Sequence, residues 1–199
     1  MHQHAPISPD RAQRLMDPRR LETQLSERGL IRLLALTGSE DVIDLGSGVG
    51  FYTDLIAALT TGTVYALDLQ PEMHDFYRAR GMPPNVRLVL GDLSRLELTP
   101  GGADVACSIS VWHETGGEMD LPGLSRALRP KGRLVIVDWR KDPEPGDGGP
   151  PAEIRFSKEE VAGALLPYFQ TVLSEDLGRN MFAVVAVRVD QPGGSWSGI

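Results

Sequence analysis

The stretch Val42–Thr53, VIDLGSGVGFYT, decides the fold. Val42, Ile43 and Leu45 form a short apolar run that ends in glycines at alternate positions, Gly46, Gly48 and Gly50. Leu55, Ile56 and Leu59 follow at helical spacing. The pattern is a buried strand, a tight glycine turn and a helix. Glycine suits such a turn because it accepts unusual dihedrals and lets a ligand approach bare backbone. The unpaired N–H groups opening the new helix favour a polar or anionic ligand group.

Downstream the same alternation repeats. Gly62 precedes a second strand, TVYALDL, ending at Asp68, and Pro71 opens a helix carrying Met73, Phe76 and Tyr77. The turn Pro83-Pro84-Asn85 leads into VRLVL, expected as a third buried strand, and then Gly91-Asp92. A fourth strand spans Ala103 to Ser110 and ends in VWHET. Leu121, Leu124 and Leu128 mark a helix stopped by Pro130, before a fifth strand, RLVIVDW. Near-continuous apolar strands alternating with helices predict a parallel sheet covered on both faces. Ser157 and Glu160 form a capping box for a last helix, with Val161, Ala164, Leu165 and Tyr168 inward. Two further strands, around Thr171–Ser174 and Met181–Val189, lack a helix between them, so a hairpin with an antiparallel last strand is expected.

Upstream, Ser8-Pro9 and Asp17-Pro18 each read as an N-cap followed by proline at the first helical position. The second opens a helical segment to about Leu36, with Leu21, Leu25, Leu33 and Leu36 on one stripe, Gly29 as its point of interruption and Gly38 as its stop. His2 and His4 sit at a terminus that reads as frayed rather than metal-binding. Lys141–Pro151, KDPEPGDGGPP, is a long loop of the kind used as a lid or a connector. The expected organisation is residues 1–37 as a helical extension capping the site, 38–190 as the ligand-binding domain and 191–199 as a disordered tail.

The 199 residues suit one domain with a sizeable core. A formal charge of −7 gives no basic footprint for a nucleic-acid backbone or an anionic membrane. The single cysteine, Cys107, excludes an internal disulfide and a multi-cysteine metal site. With neither a membrane-length apolar run nor a secretory h-region in its N-terminal stretch, the chain reads as cytoplasmic.

In open α/β sheets, ligands sit beyond the carboxyl ends of the strands at the switch in strand order. The strands deliver there Asp44 with the glycines, Asp68, Asp92, Ser110 to Glu114, and Asp138 to Arg140. A dinucleotide fingerprint GxGxxG would need glycine at position 51, which is Phe51. An acidic residue ending the second strand suits ribose hydroxyls, and Asp92 after the third suits an exocyclic amine.

At these residues the chain resembles the class I S-adenosylmethionine-dependent methyltransferases over roughly Asp41 to Val189. VIDLGSGVG, VYALDLQPEM and LVLGDL are similar to the family's first three motifs, and LSRALRPKGRLVIVDW to its approach to the fifth strand. VWHET, RPKGRLVIVDW and GPPAEIRFSKEEV together resemble small members of the ubiquinone/menaquinone-biosynthesis-like group. The resemblance implies a doubly wound, mostly parallel seven-stranded sheet, S-adenosyl-L-methionine as cofactor with S-adenosyl-L-homocysteine as product, and a small-molecule methyl acceptor. It further implies that Gly46, Ser47, Gly48 and Gly50 wrap the methionine end, with Asp44 orienting its amino group. Asp68 would bind the ribose, Leu69 and Met73 flank the adenine, and Asp92 and Leu93 contact its amine. Ser108, Ile109 and Ser110 would lie beneath the methionine portion. His113 stands where a base could act, and Tyr52, Trp112, Glu114 and Arg155 where an acceptor could be walled in. Two other readings remain: a non-catalytic binder that keeps the pocket, and a nicotinamide oxidoreductase. Arsenite methylation, which draws on several cysteines, is disfavoured by Cys107 standing alone.

Overall fold

A computed structural model describes residues 9–142, 146 and 148–190. His2, His4, Ser8, part of the 141–151 loop and the 191–199 tail, with Trp196, lie outside the described residues.

The sheet has seven strands: β1 (Val42–Leu45), β2 (Val64–Asp68), β3 (Val86–Leu90), β4 (Ala103–Ile109), β5 (Leu128–Trp139), β6 (Phe169–Leu177) and β7 (Met181–Arg188). Their order is β3-β2-β1-β4-β5-β7-β6. β1 through β5 pair in parallel, and β7 enters antiparallel between β5 and β6. The doubly wound sheet with its antiparallel last strand is therefore as expected. The chain leaves β1 toward β2 and β3, then crosses back to β4 on the other side, so the switch in order falls at β1/β4.

Among the described residues seven α-helices flank the sheet: α1 (Pro9–Leu15), α2 (Arg20–Thr23), α3 (Glu27–Leu34), α4 (Phe51–Ala57), α5 (Pro71–Arg80), α6 (Leu121–Ala127) and α7 (Lys158–Ala164). On one face Leu30, Leu34, Ile56 and Tyr77 from α3, α4 and α5 pack against Val105, Cys107, Val135 and Val137. On the other, Leu124 from α6, Val161 from α7 and Leu165 just beyond α7 pack against Leu134, Ile136 and Phe182. Successive strand residues face opposite ways, so both faces draw on the same strands and β1 is buried at all four positions. Among the described residues, no helix is long and apolar enough to cross a membrane.

Several local expectations are corrected. The segment after Asp17 is two helices, because the Asp17 carboxylate accepts from Arg19 N (2.9 Å) in a turn and Ser26 starts α3 anew by accepting from Gly29 N. Gly29 lies inside α3, where a Cβ would come within 2.9 Å of Leu25 Cδ1; it is there for space, not interruption. α3 ends at Ala35, in left-handed conformation, before Gly38 is reached. Leu128 has left α6 and pairs with Ala103 as the first residue of β5, so the helix stops ahead of Pro130. β3 is an edge strand with Leu90 61% exposed, since nothing pairs beyond it. Ala164 is exposed, and Phe169 takes the buried place beyond Leu165. The capping box at Ser157 and Glu160 forms as expected.

Candidate active site

The glycine turn leaves β1 with Gly46, Gly48 and Gly50 all at positive φ, +74°, +55° and +85°. Their surroundings differ. A Cβ on Gly46 would strike Val111, and one on Gly50 would lie 2.3 Å from the Tyr77 ring, whereas one on Gly48 would meet nothing within 4 Å. Gly46 and Gly50 thus permit close packing, and Gly48 faces open space.

Asp68, at the end of β2, reaches back to this turn: Oδ2 accepts from Gly48 N (2.8 Å) and Oδ1 from Gln70 N (2.9 Å). The register placing Asp68 one residue beyond the Leu45–Leu67 pair makes this possible. Asp92 follows β3, exposed, with Oδ1 accepting from Ser94 N and Ser94 Oγ at 2.8 Å each. Gly46, Gly48, Asp68, Leu69, Met73, Asp92, Leu93, Val111 and Glu114 line one cavity of about 490 Å³. All four ionisable residues on its wall, Asp68, Asp92, Glu114 and Glu118, are carboxylates.

A smaller cavity of about 40 Å³ opens beside it, lined by Asp44, Gly46, Ser47, Gly48, Tyr52, Ile109 and, from the N-terminal segment, Leu15 and Arg20. Asp44 is 3% exposed; its carboxylate accepts from Thr53 Oγ1 (2.6 Å) and from the Cys107 thiol (3.7 Å). Burial, against those two hydrogen bonds, pushes its pKa up to about 6. The Cys107 thiol is fully buried and held well above its usual range by burial and by Asp44. Ser47 Oγ is buried without a hydrogen-bond partner.

Arg20 is the residue the sequence reading missed. Its Nε donates to Gln24 Oε1 (3.0 Å) and Nη1 to Leu15 O (2.8 Å), and the guanidinium stands 5.1 Å from the Phe51 ring centre and 4.8 Å from that of Tyr52. Gln24 Oε1 also accepts from Ser110 Oγ (3.2 Å), the residue just past β4, itself at φ +60°. Nothing in the spacing of Arg20 from the glycine turn signals this; α1 must first dock, which it does through Ala12 on Val49 and Met73.

Other expected site residues fall elsewhere. Gly50 packs on Tyr77 and lines neither cavity; Ser108 is fully buried. Tyr52 lines the small cavity, but its hydroxyl is engaged with the backbone of Leu25. Trp112 is 1% exposed and stacks edge-on with Phe156 in the core. Arg155 is 4% exposed, with Nε and Nη2 donating to Pro150 O and its guanidinium over Trp139, so it ties the returning loop down. His113 turns away from the large cavity's wall: Nδ1 lies 2.7 Å from Asp138 Oδ1, and its backbone N donates to Oδ2 (3.1 Å). Among the described residues no hydrogen bond engages its Nε2.

Residues 42–132 match the model of a family described as a methyltransferase domain. An uncharacterised methyltransferase of Mycobacterium tuberculosis is 35% identical over 96 residues, 48% of this chain and 38% of that protein. The match thus spans well under half of that relative's length. A ubiquinone/menaquinone biosynthesis C-methyltransferase of Ectopseudomonas mendocina is 28% identical over 129 residues, covering 61% of this chain and 50% of its own. The solved structure of a SAM-dependent methyltransferase from Aquifex aeolicus superposes with a TM-score of 0.81 at 27% identity, covering 92% of this chain and 100% of its own.

Proposed function

We propose that this chain, similar in fold and motif to the class I S-adenosylmethionine-dependent methyltransferases, transfers a methyl group from S-adenosylmethionine to a small-molecule acceptor. The observation that carries this reading is that Gly46 and Gly48, Asp68 and Asp92, from three successive strand ends, meet on one cavity. The residues fit the donor: Gly48 presents open backbone, and Ser47 Oγ and Asp44 are polar groups without solvent. Once bound, the donor supplies a methyl group already activated as a sulfonium.

In this reading Asp68, held in place by Gly48 N and Gln70 N, accepts from the ribose hydroxyls. Leu69 and Met73 form the apolar flanks of the adenine, and Asp92 with the Leu93 backbone reads its edge. Asp44 with the Gly46–Gly48 backbone takes the methionine end, above Ile109. Residues 38–190 form the donor domain and the segment before them caps it. The protein contributes alignment and exclusion of water to an in-line transfer. His113 lines neither cavity, so proton removal by it requires the acceptor to reach past the Val111 and Glu114 wall; Asp138 occupies Nδ1, which leaves Nε2 to accept. An all-carboxylate wall also opposes a dinucleotide's pyrophosphate, and so supports a methyl donor over a nicotinamide cofactor.

Calorimetry with S-adenosylmethionine, S-adenosylhomocysteine and NAD tests the donor, with micromolar or tighter binding expected for the two sulfur compounds. Binding of NAD alone would overturn the reading. A screen of metabolite pools with a labelled methyl donor then identifies the acceptor.

A further inference from the structure

We propose that Arg20 is a specificity-determining residue of the donor site: with Asp44 it recognises a free α-amino-acid head, and it thereby makes the N-terminal segment part of that site. The inference rests on the donor reading above and deepens it.

The small cavity holds about 40 Å³, space for roughly three waters and comparable to a carboxylate plus an ammonium. Arg20 and Asp44 line that cavity together, yet they form no ion pair with each other. Arg20 commits Nε and Nη1 to Gln24 and Leu15, and two aromatic rings hold its plane, so Nη2 is the donor left for a ligand. On the Asp44 side, among the described residues, the carboxylate takes hydrogen bonds from Thr53 and Cys107 alone. The buried hydroxyl of Ser47, which lines the same cavity, has no partner. One cation, one anion and one orphan hydroxyl around a space of this size match a zwitterion: carboxylate to Arg20, ammonium to Asp44. Burial lowers the Arg20 pKa and raises that of Asp44, and each charge offsets the other's shift only in part. A ligand without the zwitterionic head would leave both so.

The arrangement reaches further than recognition. Leu15 O, which steers Arg20, belongs to the end of α1, and Gln24 links Arg20 to Ser110 at the tip of β4. A carboxylate on Arg20 therefore draws residues 15–25 onto the donor and braces the strand end where transfer occurs.

Two titrations of the full chain test this, one with S-adenosylhomocysteine and one with methylthioadenosine, which lacks the amino-acid head. Wild type is expected to prefer the first by at least about 100-fold. Arg20→Met is expected to weaken S-adenosylhomocysteine at least tenfold while methylthioadenosine stays within twofold, which also shows that the variant is folded. Arg20→Lys, retaining the charge without the fork, should fall between. Amide exchange across residues 15–25 should slow with S-adenosylhomocysteine in wild type and not with methylthioadenosine. Unchanged S-adenosylhomocysteine affinity in both variants, or equal loss of both ligands in both, would overturn this inference alone. Failure of wild type to bind either nucleoside would overturn the donor reading and this inference with it.

Discussion

His113 Nδ1 and Asp138 Oδ1 lie 2.7 Å apart, bridging the ends of β4 and β5 with both side chains buried. Asp138 also accepts from His113 N and from Trp139 N (2.6 Å), so one carboxylate fixes the ring, its backbone and the following residue. An imidazole held this way has one tautomer available, with Nε2 as the acceptor.

His113→Ala is therefore expected to lower kcat by about 10²-fold or more, the scale of a lost general base, with S-adenosylhomocysteine affinity within twofold. Asp138→Asn should lower kcat too. Turnover unaffected in His113→Ala would reduce the pair to a clamp on the loop.

Asp68→Ala is expected to weaken donor binding by roughly 1–3 kcal/mol, the scale for hydrogen bonds to a charged group. The carboxylate also anchors Gly48 N, so the loss includes a loosened turn. Isothermal titration reads it directly, and an unchanged Kd would remove Asp68 from the site.

The glycines separate stability from binding. Gly50→Ala forces a methyl into the Tyr77 ring at positive φ and should cost about 1–3 kcal/mol of stability, seen as a lower Tm. Gly48→Ala meets no atom and carries only about 1–2 kcal/mol of left-handed strain, yet it intrudes on the donor. It should melt higher than Gly50→Ala but bind S-adenosylhomocysteine at least tenfold more weakly than wild type.

Asp44, surrounded by Thr53, Cys107, Asp68 and Arg20, gives a pH signature. Its folded pKa is raised from 3.8 to about 6, so its stabilising contribution is complete below about pH 4 and lost as pH rises through 6. Asp44→Asn should then stabilise the ligand-free protein at pH 7.5 by up to about 3 kcal/mol, at ~1.4 kcal/mol per pKa unit, and have little effect near pH 4. Donor affinity should move the opposite way, falling in wild type below pH 6. Melting curves at the two pH values check the first claim; equal shifts at both would contradict it.

What the sequence disclosed and what it hid follow from range. The β1 turn, Asp68 and Asp92 were legible because short apolar runs and glycine punctuation mark strand ends, and parallel topology gathers those ends on one side. β3 as an edge strand was not, since pairing order is a property of the whole sheet. The Asp17–Leu36 segment looked continuous because its leucine stripe survives a break at Ser26. Arg20 was illegible for a stronger reason: its role comes from α1 docking on Val49 and Met73, which no local pattern encodes. The His113–Asp138 pair is 25 residues apart in sequence, and only the β4–β5 register brings it together.

Cys107 lies opposite Asp44 in the β1–β4 ladder, sealed at 0% exposure and the chain's sole cysteine. The folded protein is consequently blind to thiol reagents, and labelling proceeds only through openings that part the central strands. That one sulfur is a native stopwatch for the sheet: its modification rate ranks every variant above on one scale, with no reporter to be engineered in.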